Sequence, residues 1–421
     1  MRSFFILFLL FFFLSANLTA EEWSKWRGPN GNGTWYEPRI SKKLPINGLK
    51  RIWKTSVFPG YSGVTVKNGL VYTMDRPDTG SGVGLERILC LDAKTGEVAW
   101  FFSYPVDYRD LGYGKGPRSS VCIVNDRVFS FGAMGDVVCL DSQSGKKIWM
   151  RNLVEDENAT IPIWGFSSTP EPLNNEILLN AGCKPVGLIL SLCQKTGETK
   201  WKVGKDEKAG YAPPLEIISP SGGQLLVWGP NQIMGLPIGS GESYWEVPYK
   251  VKYGVSITKP IYYDGVVLVS GFWHGTRAIQ LGEKKDEAKI LWSNELGLRG
   301  LMSQPLLSRG VCYLLDRSRG LTAFEYKTGE IFWADNHNLT PSERNPHASI
   351  IWTYQENGEA LALNALGELV FMNLNRDGFK EYWREQIVSK TWAHPAYSKE
   401  FIFSRDDQSI YCYELPLDHN N

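Results

Sequence analysis

Residues 26 to 33, "WRGPNGNG", set three glycines, a proline and two asparagines beside a Trp-Arg pair. Backbone N–H groups in such a loop could cradle a phosphate, but that chemistry needs a strand before the loop and a helix N-terminus after it. Calcium would need alternating carboxylates, and the window contains none. Elsewhere no GxSxG elbow, HExxH pair or P-loop ending in GK[ST] occurs, which removes the local signatures of hydrolases, zinc proteases and NTPases. The five His, at 274, 337, 347, 394 and 419, show no ligand spacing. Seven Cys form no CxxC or vicinal pair, and the odd number leaves at least one thiol unpaired. Cys90 and Cys139 sit alike in "ILCLDAKTG" and "VVCLDSQSG", which reads as small buried strand residues rather than disulfide partners.

The elements that would position any site come from an internal repeat. "CLDAKTGEVAW", "CLDSQSGKKIW", "SLCQKTGETKW", "GLPIGSGESYW" and "AFEYKTGEIFW" end at Trp100, Trp149, Trp201, Trp245 and Trp333, and degenerate copies end at Trp292 and Trp383. Counted from Trp53, the successive spacings are 47, 49, 52, 44, 47, 41 and 50. A period in the forties built from short strands predicts a β-propeller blade. The second unit shows four strands, "RSSVCIV", "DRVFSFG", "VVCLD" and "KKIWM", separated by Gly-, Asn-, Asp- and Ser-rich turns. The turn Gly supplies a positive φ, and the Trp that follows is expected to end the outermost strand and fill the wedge between blades. Seven full units plus three C-terminal strands, completed by "LKRIWKT" from the N-terminus, predict an all-β fold. It is an eight-bladed propeller of four-stranded antiparallel blades, the last closed by an N-terminal strand. The expected divisions are 1–20 leader, 21–48 N-terminal arm, 49–416 propeller and 417–421 tail.

"MRSFFILFLLFFFLSANLTA" has the basic, apolar and small-residue order of a secretory signal peptide, with cleavage expected after Ala20. The apolar run Phe4 to Leu14 is shorter than the roughly 18 to 20 residues that span a membrane. An exported chain, periplasmic or extracellular, with no transmembrane segment is expected, and a monomer. The balance of 45 Lys+Arg against 45 Asp+Glu argues against nucleic-acid binding. Sequons at Asn32, Asn158 and Asn338 would carry glycans only in a eukaryotic secretory protein.

The "LDAKTGEVAW" unit resembles the tryptophan-docking repeat of the quinoprotein alcohol dehydrogenase-like, or PQQ-like, β-propellers. "WSKWRGPNGNG", "WGFSSTP" and "SRDDQSIYCYEL" are similar to segments of the planctomycete-type exported PQQ-binding-like propeller repeat proteins. The dehydrogenase branch of that family implies pyrroloquinoline quinone over a central calcium or lanthanide, an Asp base, a vicinal disulfide and long interblade insertions. This chain departs on the last two counts. The other branch, BamB-like, implies a non-catalytic scaffold that presents loops to envelope partners, protein or polysaccharide. That branch is the expected function, with no cofactor. A PQQ-dependent dehydrogenase with calcium is the alternative.

Residues at the starts of the innermost strands should line one mouth of the channel: Tyr61, Arg118, Trp164, Phe166, Tyr211, Tyr253, Arg299, His347, Trp392 and His394. Two readings are open, a ring binding a glycan, peptide or anion, and a plug of rings packed on one another. Asp316, Arg317, Arg405, Asp406 and Asp407 are expected as local ion pairs on turns.

Overall fold

The computed structural model describes residues 22–418 apart from 37, 38, 79 and 207, so the leader and its cleavage site lie outside the described residues. Eight four-stranded antiparallel sheets follow one another along the chain, and the first strands of adjacent sheets meet around an axis. Blades 1 to 7 are each built from consecutive strands. Blade 8 takes Ala396–Ser398, Phe401–Arg405 and Ser409–Glu414 from the C-terminal end and Lys50–Ser56 from the N-terminal end, with Trp53 opposite Cys412. Most first hairpins turn on an Asn, Asp, Arg or Lys with positive φ, such as Asn68-Gly69 and Asp264-Gly265, as tight two-residue hairpins require.

The repeated Trp has a consistent seat. It pairs across its blade with Cys90, Cys139, Ser191, Gly235, Ala278, Ala323 or Cys412, small side chains that leave space for an indole on the same face; Phe371 is the exception. The Trp sits within or at the start of its strand rather than ending it, as Trp100 does in Val98–Asp107. Most of these indoles reach into the next blade, while Trp201 and Trp245 donate within their own blades, to Glu176 and Gln224. Trp100 Nε1 donates to the Ser142 carbonyl at 3.1 Å, Trp149 to Gln194 at 3.0 Å and Trp292 to Tyr326 at 3.1 Å. The turn glycine lies under the ring: a Cβ on Gly145, whose φ is +67°, would stand 2.6 Å from Trp100. The repeat therefore encodes a joint between blades as well as a blade.

Where the ring closes, no covalent turn exists for Trp383, and the arm substitutes: its indole donates to Ser41 O at 2.9 Å. Arg405 is buried and donates to Phe58 O at 2.6 Å and Thr73 Oγ1 at 3.1 Å, which ties blade 8 to blade 1. It is a strut between blades, not the local turn ion pair that was expected. Asp316 and Asp406 do cap turns, accepting from Ser318 N and Gln408 N at 2.8 Å each, and Asp407 pairs with Lys115. Arg317 lies over the Phe272 ring at 4.1 Å. All seven thiols are unpaired, and burial pushes Cys90, Cys139 and Cys412 up to about 12, which makes them unreactive packing residues.

Candidate functional site

The arm decides what the channel can be. Its backbone is stitched to the inner strands: Val66 N donates to Trp23 O, Ile123 N to Ser24 O, and Trp35 N and Trp352 O bond at 2.8 Å. Trp23 and Trp35 are buried, with Tyr397 at 5.1 and 5.2 Å between ring centroids. Arg27 is buried with positive φ and donates to Ile350 O at 3.0 Å. Gly33, φ +73°, lies so close to its guanidinium that any Cβ would collide with it. "WRGPNGNG" is thus a fold that threads an arginine into the channel. Beside it Glu171 bridges Lys25 at 2.8 Å and Lys259 at 2.9 Å. Burial alone would raise the carboxyl of Glu171, but the charges of Lys259 and Lys25 outweigh it and hold it below its ordinary value.

Beyond the arm, at the mouth where the inner strands begin, a cavity of about 270 Å³ remains. Of the expected ring residues, Tyr61, Arg118, Trp164, Tyr211, Tyr253, His347, Trp392 and His394 line it. Phe166 and Arg299 do not. Gly165 reverses the chain with φ +73° and sends Phe166 into the core between blades 2 and 3, its ring 4.7 Å from Phe131. Arg299 is held by a hairpin of its own blade, its N–H on Asp316 at 2.6 Å and its guanidinium on Ser318 at 2.9 Å. Trp26, Tyr113, Trp273 and Arg344 line the cavity without having been expected there. The Tyr before Gly in "GYG" at 112–114, which matches the expected Tyr253 in "KYG" at 252–254, was the available signal for Tyr113.

The rings form a continuous arc. Centroid distances are 5.7 Å for Tyr61 to Trp392, 5.8 Å for Trp392 to Tyr113, 6.2 Å for Tyr113 to Trp164, 6.0 Å for Trp164 to Tyr253 and 6.0 Å for Tyr253 to Trp273. Tyr113 and Tyr253 are exposed, so part of the arc faces solvent. Arg118 fixes part of it by donating to the carbonyls of Gly112, Tyr113 and Gly116 at 2.6 to 2.7 Å, a use of its planar fork that a lysine could not copy.

The deeper wall holds His347 and His394, perpendicular at 5.3 Å. His394 Nδ1 is 2.9 Å from Ser349 Oγ and its ring is 5.6 Å from Trp26. Burial lowers His347 to about 4; the Trp392 backbone opposes this weakly from outside good hydrogen-bond geometry. Burial, then His347 and Arg27, push His394 well below its ordinary value. Tyr211 is raised to about 12 by burial. At neutral pH both imidazoles are neutral and the phenol keeps its proton, so none of the three is a poised acid or base.

Among the described residues no Asp or Glu lines the cavity. Calcium or a lanthanide beside a quinone needs several oxygen ligands, carboxylates first among them. Among the described residues no group of three His, Cys, Asp or Glu could hold a metal. The metal-and-quinone arrangement of the dehydrogenases does not fit this wall.

The family model described as outer membrane protein assembly factor BamB matches residues 86–335 and 239–394. The chain is 28% identical over 222 residues to the lanthanide-dependent methanol dehydrogenase of Methylorubrum extorquens, covering 47% of this chain. That match spans about a third of the dehydrogenase, 32% of its length. It is 20% identical over 339 residues to the outer membrane protein assembly factor BamB of Moranella endobia, covering 75% of this chain and 80% of that one. Among solved structures, the quinohemoprotein alcohol dehydrogenase of Comamonas testosteroni superposes with a TM-score of 0.66 at 12% identity, over 96% of this chain and 82% of that one. A europium-containing methanol dehydrogenase gives 0.66 at 11% identity, over 94% and 99%. At such identities the likeness is one of fold.

Proposed function

Because the chain belongs to the BamB-type family of PQQ-like β-propellers, we propose that it is an exported, non-catalytic binding or scaffold module for envelope protein or polysaccharide partners, holding its ligand in the aromatic mouth of the channel. The observation that carries this reading is the composition of the cavity wall: an arc of rings with arginines and neutral imidazoles and, among the described residues, no carboxylate to serve as base or cation ligand. The arm supports it from below. With Trp26 as part of the lining and Arg27 wedged beside the inner strand Ala348–Tyr354, the cavity is a pocket with a floor. No described helix is long and apolar enough to cross a membrane, and one relative is named an outer membrane protein assembly factor.

The second reading, a PQQ-dependent dehydrogenase of alcohols or sugars, draws support from the methanol dehydrogenase match and meets the objection that no described residue of the wall is a carboxylate. A direct test of the binding reading passes an envelope fraction over immobilised protein and compares it with Trp164→Ala. A component retained by the wild type and lost by the variant supports the cavity as the site. Equal retention by both proteins overturns it.

A further inference from the structure

We infer that the ligand of this mouth is an acidic oligosaccharide, one of whose pyranose rings lies on the rim aromatics while its carboxylate faces Arg344. The inference rests on the binding reading above and names the ligand class for that same cavity.

Tyr113 and Tyr253 are the starting point. Both are exposed, at 48% and 55%, and both hold left-handed backbone, φ +54° and +60°. A bulky residue pays a steric penalty there that glycine does not. A glycine follows each tyrosine directly, so a shift of one position would have relieved the strain. What the two positions share is Trp164, 6.2 Å from one ring and 6.0 Å from the other. Strained backbone that presents a matched pair of exposed rings around a third points to a binding surface. The C–H-rich face of a pyranose is apolar and weakly positive, and it packs on the negative face of an aromatic ring.

The other wall supplies the charge. Trp164 precedes the inner strand of blade 3, and Arg344 that of blade 7, four blades away and so across the axis in a ring of eight. Arg344 is exposed on the lining and engages no carboxylate among the described residues. Beneath the floor Arg27 is buried beside backbone carbonyls, and Lys25 and Lys259 share the single carboxylate of Glu171. A wall with no acid among the described residues, over a floor with excess cations, favours an anion. The cavity's 270 Å³ is slightly under the roughly 300 Å³ at which pockets for whole small molecules begin. One ring-sized group therefore enters while the rest of an oligomer lies along the exposed part of the arc. A peptide would seek main-chain partners on a strand edge, but inner-strand groups of blades 1, 2 and 7 are already bonded to the arm.

Calorimetric titration of the mature protein with a short oligogalacturonate, its carboxyl-reduced counterpart and a polyglutamate peptide tests this. The expected result is saturable binding of the oligogalacturonate, weakened about tenfold or more on carboxyl reduction and by Arg344→Gln, a difference of about 1.4 kcal/mol. Tyr113→Gly and Tyr253→Gly should lose affinity by about tenfold while the thermal midpoint holds or rises, because glycine relaxes the backbone. Equal binding of the reduced sugar overturns the acidic component, and tighter binding of polyglutamate replaces sugar with peptide. If neither sugar binds while the envelope component is still captured through Trp164, the saccharide is overturned and the binding reading stands.

Discussion

Single residues in this chain are legible when they repeat and obscure when they do not. The turn glycines could be read as positive-φ positions, yet their second constraint, the neighbouring blade's indole, is visible only in three dimensions. That difference is measurable. Gly145→Ala places a methyl group against Trp100 and should cost about 2 to 4 kcal/mol, whereas Gly69→Ala, with φ +73° and nothing within 4 Å, should cost about 1 kcal/mol in urea unfolding. Eight of the ten expected mouth residues line the cavity because strand starts converge on the axis in any propeller. Phe166 and Arg299 escaped that rule through the local backbone reversal at Gly165 and the carboxylate of Asp316, neither of which leaves a periodic trace. His347 gives a pH prediction. Its folded pKa of about 4 lies below the ordinary 6.5, so its contribution is complete above about 6.5 and lost as pH falls towards about 4. Asp136, raised to about 6 by burial, works in the opposite direction, contributing fully below about 3.8 and losing that contribution as pH rises through about 6. The difference between wild type and His347→Leu removes the Asp136 contribution. Relative to the variant, the wild type should lose on the order of 3 kcal/mol of unfolding free energy across that window.

At the scale of elements, the N-terminal arm departs most from what composition suggests. The Gly-, Pro- and Asn-rich sequence of 28–33 places a turn there but says nothing of how deeply the arm enters the ring. Nothing in one sequence pairs Lys25 with Glu171, 146 residues away. The depth follows from buried charge. Removing the carboxylate in Glu171→Gln leaves two buried ammonium groups sharing a neutral amide, and should cost about 3 to 5 kcal/mol. Adding Lys259→Met should return part of that loss, because one unpaired charge is removed with it. Denaturant unfolding of the single and double variants measures both effects. If the two substitutions were simply additive, the three side chains would not be acting as one cluster.

For the molecule as a whole, the eight-bladed ring was legible almost entirely, since a Trp every 41 to 52 residues and strand-length hydrophobic runs admit few other architectures. Closure was legible from the missing strand, but its reinforcement by Arg405 and by Ser41 under Trp383 was not. Arg405→Met should leave the Phe58 and Met74 carbonyls and Thr73 without their donor. Limited proteolysis should then open blade 8 first, with early cuts between residues 390 and 418. Cleavage spread evenly around the ring would deny Arg405 that role.

Function is the least legible layer, because the same ring serves dehydrogenases and scaffolds and the choice depends on what lines the mouth. Reconstitution of the mature protein with pyrroloquinoline quinone, with and without calcium, followed by an alcohol-dependent dye-reduction assay, tests that choice most directly. A wall with no carboxylate among its described residues predicts no calcium-dependent gain in quinone binding and no turnover. Calcium-dependent binding with alcohol-dependent dye reduction would contradict it.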